Sequence, residues 1–205
     1  MFYIARDSSK GSGSGKDGKR KSKALGWAKK NWYPVISPSA FGEKEIASVA
    51  AVKPETLVGR KLSVTLSDLT GNFRDYRTKI KLKIVGMEGG KARTAYAGQE
   101  MVREQVARLV RRWSSRIDNV EPVILADKSS VVVKTLTVSR RRVNTSVKKD
   151  LRALISQKIH EQAAKTNLDD FVKEVNTGVF SKAVYSGLSK VYPVRAVEVR
   201  MVARK

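Results

Sequence analysis

Residues 135–164 read TLTVSRRRVNTSVKKDLRALISQKIHEQAA, and this stretch predicts a strand, a basic loop and a helix in that order. Its first four residues are β-branched or apolar, which favours the end of a strand. Three short polar residues that are typical helix caps follow the arginines: Asn144, Thr145 and Ser146. Apolar residues then recur at helical spacing: Val147, Leu151, Leu154, Ile155 and Ile159. A sheet therefore ends here and a long helix begins.

The loop and the first turns of this helix are strongly basic. Asp150 is the one acid in residues 140–152, against six bases: Arg140, Arg141, Arg142, Lys148, Lys149 and Arg152. Cations near a helix N-terminus oppose the helix dipole at a cost of roughly 0.3–1 kcal/mol each. That cost is offset if a polyanion binds, because helix N–H groups and lysines can hold one phosphate together. A solvated basic loop is the alternative, and this stretch alone does not decide between the two.

The charge of the whole chain favours a polyanionic partner. The net charge is +23 over 205 residues, while 41% hydrophobic residues are enough to form a core. Nucleic acid is the first choice of partner. An anionic membrane is second, but no segment approaches the roughly 18–20 apolar residues of a spanning helix. The absence of cysteine excludes thiolate zinc sites, and the single histidine excludes a histidine-rich metal site.

Length and composition predict two parts, a basic arm over residues 1–28 and one α+β domain over residues 29–205. Residues 6–30 are rich in glycine, serine and lysine, with nine basic residues against two acidic ones. This composition predicts a disordered arm that orders on RNA, with a flexible linker as the alternative. The candidate RNA-binding residues of the arm are Lys19, Arg20, Lys21 and Lys23. Residues 13–19 resemble a P-loop, but residue 20 is arginine and no strand precedes it, so no nucleotide cofactor is expected.

The segment after the arm combines lysines with aromatic residues. Residues 29–35 read KKNWYPV, and residues 37–41 read SPSAF. The two prolines disfavour a regular helix or a central strand, so an extended segment is expected. Lys29, Lys30 and Trp32 are suited to phosphate contact and base stacking. Alternatively, the aromatic rings pin the segment to the core, which is the interpretation favoured for Phe41.

The rest of the chain predicts an antiparallel sheet with helices segregated from it. Strands are predicted over residues 60–66, 76–85, 91–97, 122–125, 131–138 and 197–201, and a polar loop over residues 67–72. A helical stripe from Val102 to Ile117 places Trp113 in the core. A lysine row, Lys79, Lys81 and Lys83, follows the wet face of one strand, and its role stays open.

No pattern supports catalysis. His160 falls opposite the apolar stripe of its predicted helix, on the exposed face, and no pair of acids has a spacing that forces a dyad. A protein without enzymatic activity, metal or cofactor is therefore predicted.

Several segments together carry a family resemblance. The KKNWYPV of residues 29–35, followed by the PSAF of residues 38–41, resembles the S3Ae family of archaeal and eukaryotic small-subunit ribosomal proteins. So do VTLSDL at residues 64–69, GQEMVR at 98–103 leading to VRRW at 110–113, and VYP at 191–193. The similarity spans about residues 27–202, and the order and spacing of the segments make it specific.

The resemblance implies a cytoplasmic, archaeal-type component of the small ribosomal subunit. It implies contact with ribosomal RNA at the platform, near the mRNA exit and the 3′ end of the small-subunit RNA, beside other platform proteins. It also implies a β-barrel-like core flanked by amphipathic helices, and no membrane partner. The alternative is a free RNA- or DNA-binding regulatory protein.

Overall fold

A computed structural model of the chain describes residues 29–204. The predicted disordered arm, including Lys19, Arg20, Lys21 and Lys23, lies outside the described residues. The strands are β1 Asn31–Ile36, β2 Glu45–Ala51, β3 Lys61–Thr65, β4 Thr78–Glu88, β5 Lys91–Met101, β6 Arg116–Ile124, β7 Ser130–Ser139 and β8 Val194–Arg204. The helices are α1 Leu66–Thr70, α2 Arg103–Leu109, α3 Thr145–Ala163, α4 Leu168–Thr177 and α5 Val179–Ser189.

The eight strands form one mixed sheet in which β5 is the branch point. One edge of β5 pairs with β4, which pairs with β3. The other edge of β5 pairs with β1 near its start and with β8 near its end. β1 in turn pairs with β2, and β8 pairs with β7, which pairs with β6. The α+β class is confirmed, but the expected antiparallel barrel is not: β1 and β5 are parallel, and the sheet path does not close.

The largest core lies between α3, α4, α5 and the sheet of β6, β7 and β8. The predicted apolar stripe of α3 is buried at Leu151, Ile155 and Ile159. Phe171 of α4 and Phe180 of α5 complete this core with an edge-to-face contact, their ring centroids 5.5 Å apart. This packing fixes the start of α3 relative to the end of β7.

A second group of buried residues confirms the predicted alternation of β4. Ile80, Leu82 and Ile84 are fully buried on one face, and Lys79 and Lys83 are exposed on the other. The last residue of the predicted strand 60–66 instead begins α1, whose Leu66 and Leu69 cover Ile80 and Leu82. The predicted polar loop over residues 67–72 is therefore mostly this short helix.

The helix predicted from Val102 to Ile117 is wrong beyond Leu109. α2 ends there, a turn follows, and residue 116 begins β6, which pairs with β7 over nine residue pairs. Ile117 is buried as a strand residue, whereas Trp113 is 71% exposed and is not in the core. The backbone hydrogen bonds between β6 and β7 stabilise a strand here more than the apolar stripe stabilises a helix. The strand predicted over residues 122–125 therefore begins earlier, at residue 116.

The segment from residue 29 is extended, as predicted, but it is also paired. Pro34 lies within β1 opposite Ser48 of β2, and only the two residues after it, Val35 and Ile36, also pair with β5. A proline is tolerated here because its position is paired on one side only.

Gly98 marks a close approach between β5 and β8. It lies opposite Ala203, and a Cβ at this position would clash with the backbone carbonyl oxygen of Val202. We expect Gly98→Ala to lower the free energy of unfolding by about 1–3 kcal/mol, because the two strands would have to separate. Urea unfolding followed by circular dichroism measures the change.

Gly86 of β4 is the matched control, since a Cβ there would have no heavy atom within 4 Å. Gly86→Ala is expected to unfold close to the wild-type midpoint. Equal stability of the two alanine variants would show that the β5–β8 contact is not as close as described.

Candidate nucleic-acid interface

Two loops that are distant in sequence are joined at the end of β7 by a pair of serines. The backbone N–H of Ser139 donates to the carbonyl oxygen of Ser115 at 3.0 Å, and the N–H of Ser115 donates to Ser139 Oγ at 2.9 Å. Ser139 is fully buried. We call residues 110–115 the tryptophan loop and residues 140–143 the arginine loop, and together they form the two-loop site.

The same serines hold the backbone of the arginine loop. Ser139 Oγ donates to the carbonyl oxygen of Arg141 at 2.5 Å, and the N–H of Val143 donates to Ser115 Oγ at 3.0 Å. Because both hydroxyls bridge the two loops, the position of one loop sets the position of the other.

The segment before β8 supports the arginine loop from a third direction. The N–H of Arg140 donates to the carbonyl oxygen of Pro193 at 3.2 Å, and the Tyr192 hydroxyl donates to the carbonyl oxygen of Arg142 at 3.3 Å. The backbone of the loop is thus fixed, while the side chains of Arg140, Arg141 and Arg142 are exposed. The sequence did not predict this role for Tyr192 and Pro193.

The tryptophan loop adds residues that the sequence analysis missed. Arg111 and Arg112 are exposed, and the Ser114 hydroxyl donates to the carbonyl oxygen of Arg111 at 2.5 Å. The Arg142 guanidinium lies over the Trp113 ring, 4.7 Å from its centroid. The signal was present in the sequence: the run Arg-Arg-Trp-Ser-Ser interrupts an apolar stripe with consecutive polar residues.

The arginines of the two-loop site are not neutralised within the described part of the chain. Asp118, on the neighbouring strand, pairs instead with Arg116 at 2.8 Å. No salt bridge between described residues involves Arg111, Arg112, Arg140, Arg141 or Arg142. All five residues are exposed and their charge is not paired with an acid in residues 29–204, although the Arg142 guanidinium also contacts the Trp113 ring.

The first turn of α3 continues this basic surface. Asn144 is the N-cap residue with extended backbone, but no side chain caps the helix, which corrects the capping predicted for this segment. The first turn contains no acidic residue. Lys149 and Arg152 are exposed and Lys148 is half-buried, so all three can extend the charge of the arginine loop along the helix.

The other predicted site, at the start of β1, is at the opposite end of the sheet. β1, β5 and β7 run in the same direction, because β1 is parallel to β5 while β8 is antiparallel to both β5 and β7. β1 pairs with the first residues of β5, whereas β8 pairs with the last part of β5 and then with β7. The structure therefore does not bring the start of β1 and the end of β7 together.

The residues at the start of β1 are accessible. Lys29 is exposed, Lys30 is half-buried and the side chain of Trp32 is 63% exposed. Phe41 packs against the buried cluster that contains Leu66, Leu69, Ile80 and Leu82, as predicted for an aromatic anchor. The segment is thus attached to the sheet while its basic and aromatic side chains remain at the surface.

One lysine of the row on β4 forms a salt bridge with another strand of the sheet. Lys81 Nζ donates to Glu100 Oε2 at 2.5 Å, and this hydrogen bond holds the pKa of Glu100 below its usual range. Lys79 and Lys83 remain exposed. His160 is on the exposed face of α3, as predicted, with Nε2 3.8 Å from Glu121 Oε2.

Residues 29–204 contain neither a candidate metal site nor a helix that could span a membrane. No group of three or more histidine and acidic side chains in this range is arranged to hold a metal ion. Within the same range, every helix is too short or too polar to span a bilayer.

Comparison with known proteins gives the family. The model of the ribosomal S3Ae family matches residues 18–204. The chain belongs to the ribosomal S3Ae family. Small ribosomal subunit protein eS1 of Saccharolobus solfataricus is 34% identical over 173 residues, covering 84% of this chain and 83% of the relative. The eS1 proteins of Desulfurococcus amylolyticus and Methanoculleus marisnigri are 34% and 32% identical, covering 81% and 88% of their own lengths.

Family membership confirms the resemblance and gives the chain its broad class. An S3Ae protein is a ribosomal protein, and the family indicates a structural role rather than an enzymatic one. The three relatives named above are archaeal, in agreement with the archaeal-type member expected from the resemblance.

The serine pair makes a testable contribution to stability. We expect Ser139→Ala to lower the free energy of unfolding by about 1–3 kcal/mol, because the Ser115 N–H and the Arg141 carbonyl would both lose the hydroxyl of the fully buried Ser139 as their partner. Urea unfolding measures the change. Ser130→Ala, at the exposed start of β7, is the control and is expected to have little effect. Identical unfolding curves for the two variants would contradict the proposed link between the loops.

Proposed function

We propose that this chain is a structural constituent of the small ribosomal subunit and binds ribosomal RNA through the two-loop site and the first turns of α3. The observation that carries the proposal is the cluster of five exposed, unneutralised arginines on two loops with a fixed backbone. Membership of the ribosomal S3Ae family supports RNA as the polyanion.

The fixed backbone matters for phosphate binding. A guanidinium group presents a planar fork of N–H donors that matches two phosphate oxygens. Each arginine side chain loses rotamer freedom on binding, and a loop that is already ordered avoids the further cost of ordering its backbone. Donation by the Ser139 and Tyr192 hydroxyls to loop carbonyls, and donation by the Val143 N–H to Ser115 Oγ, supply that order in the arginine loop.

The start of α3 offers a complementary phosphate site. Its first N–H groups have no side-chain cap, and the positive end of the helix dipole faces the arginine loop. Lys148, Lys149 and Arg152 are the cations that we assign to the same phosphate backbone. A bound phosphate explains why the first turn of this helix has a lysine and no acidic residue.

We propose the start of β1 as a second RNA contact, through Lys29, Lys30 and Trp32. Its position at the other end of the sheet suits a protein that spans two RNA segments. The basic arm, with Lys19, Arg20, Lys21 and Lys23, extends this contact, so residues 1–28 and the single domain 29–205 are two binding units. The assignment of the start of β1 rests on charge, exposure and strand register, and that of the arm rests on its charge.

The finer location follows the family resemblance. We place the chain at the platform of the small subunit, near the mRNA exit and the 3′ end of the small-subunit RNA. Neighbouring platform proteins and mRNA near the exit are the further partners in this proposal.

The salt dependence of RNA binding tests the role of the arginine loop. Each phosphate neutralised contributes about −0.7 to −0.9 to the slope of log affinity against log salt. We expect the triple variant R140A/R141A/R142A to bind a small-subunit RNA transcript more weakly, with a slope shallower by about 2 to 3. Filter binding over a range of potassium chloride concentrations measures the slope.

The control removes the same charge from another surface. Lys128, Lys165 and Arg204 are exposed around the turn between β6 and β7, away from both proposed RNA contacts, and their triple alanine variant is expected to keep the wild-type slope. If the arginine-loop variant keeps the wild-type slope as well, or if both variants lose the same amount, the arginine loop is not a specific phosphate contact.

A further inference from the structure

The indole of Trp113 is placed where it contributes little to the core. It is 71% exposed, although a tryptophan is among the side chains that gain most from burial. Its backbone φ is +66°, a conformation that is unfavourable for a bulky residue and that recurs at functional sites. A position that combines exposure with an unfavourable backbone points to a ligand rather than to packing.

One face of the indole already has a cation stacked on it. The Arg142 guanidinium is centred 4.7 Å from the ring centroid, within the range of a cation–π contact. The backbone of Arg142 is held by the Tyr192 hydroxyl at 3.3 Å. The guanidinium supports the ring from one side, and the large exposed fraction leaves the other face open to a planar group.

The open face lies within the two-loop site. Arg111 and Arg112 directly precede Trp113, and the arginine loop is joined to it by Ser115 and Ser139. A planar ligand on the indole would therefore carry its negative charge into a group of guanidinium side chains. A nucleotide has this combination of a planar base and a phosphate on either side.

We propose that Trp113 is a stacking platform for one unpaired base of RNA, with Arg142 supporting the ring from behind and the neighbouring arginines neutralising the flanking phosphates. This inference rests on the proposed RNA-binding function and names the ligand of its site. The bases of a duplex are already stacked on one another and do not offer a free face, so the ligand is a loop, a bulge or a strand end.

Fluorescence of Trp113 tests stacking directly. The chain has three tryptophans, so the full-length variant W27F/W32F leaves Trp113 as the single reporter. The probes are a single-stranded oligoadenylate of about 12 nucleotides, the same strand in a duplex, and inorganic polyphosphate. We expect all three to bind, and only the single strand to quench the Trp113 emission strongly. Binding of the single strand without quenching overturns the proposal.

Affinity for the single strand provides a second readout. Trp113→Leu keeps an apolar side chain but removes the aromatic face, and we expect it to bind oligoadenylate at least about fivefold more weakly. Trp113→Phe restores stacking and is expected to stay within about threefold of wild type. Affinity for the duplex and the polyphosphate should be unchanged in both variants.

Phe73 is the matched control, because it is 92% exposed and lies outside the two-loop site. Phe73→Leu is expected to bind all three probes as the wild type does. If Trp113→Leu binds oligoadenylate like the wild type while R140A/R141A/R142A does not, stacking is wrong and the proposed phosphate contact stands. If the triple arginine variant also binds normally, the proposed function of the two-loop site fails independently of Trp113.

Stability measurements separate a binding effect from a folding effect. The melting temperature of each variant is compared with that of wild type by circular dichroism. Should Trp113→Leu be less stable, the quenching result decides, because it uses the native residue at position 113. Quenching by an acidic peptide such as polyglutamate, equal to that by oligoadenylate, would assign the platform to a protein partner and overturn the proposal.

Discussion

The hydrogen bonds between Ser115 and Ser139 determine the shape of the basic surface. β7 ends at Ser139, and the tryptophan loop precedes β6, so these contacts close the open end of the β6–β7 hairpin. They place arginines from two separate runs of sequence side by side, with a tryptophan among them. Without this link, nothing in the described contacts would hold Arg111 and Arg112 beside the arginine loop.

The core between the helices and the sheet of β6, β7 and β8 holds the basic surface in place. Leu151, Ile155 and Ile159 hold α3 on the sheet, and the phenylalanines of α4 and α5 fill the remaining space. The start of α3 is thereby fixed within reach of the arginine loop. At the other end of the sheet, β1 carries a separate basic and aromatic segment. Basic surfaces at two ends of one sheet agree with the proposal that the chain contacts two RNA segments.

The sequence predicted the parts of the fold where local pattern and burial agree. The apolar stripe of α3 and the alternation of Ile80, Leu82 and Ile84 in β4 are long and regular, so both elements were found. β6 was missed over most of its length because Asn119 and Glu121 occupy half-buried positions where an apolar alternation was expected. The sequence predicts Trp113 in the core because its spacing from Val102 fits one long helix. The structure ends that helix at Leu109, because the following residues lead into β6, which pairs with β7. The branching of the sheet at β5 depends on contacts between distant segments, which local patterns do not encode.

A density map of the assembled small ribosomal subunit tests most directly whether the two loops act as one RNA-binding surface. The arginine loop and the tryptophan loop should contact the same RNA segment. At least two of their guanidinium groups should lie within hydrogen-bonding distance of phosphate oxygens, and the serine contacts should be intact. A map in which both loops face open solvent, or in which they contact unrelated RNA segments after separating from each other, would contradict this arrangement.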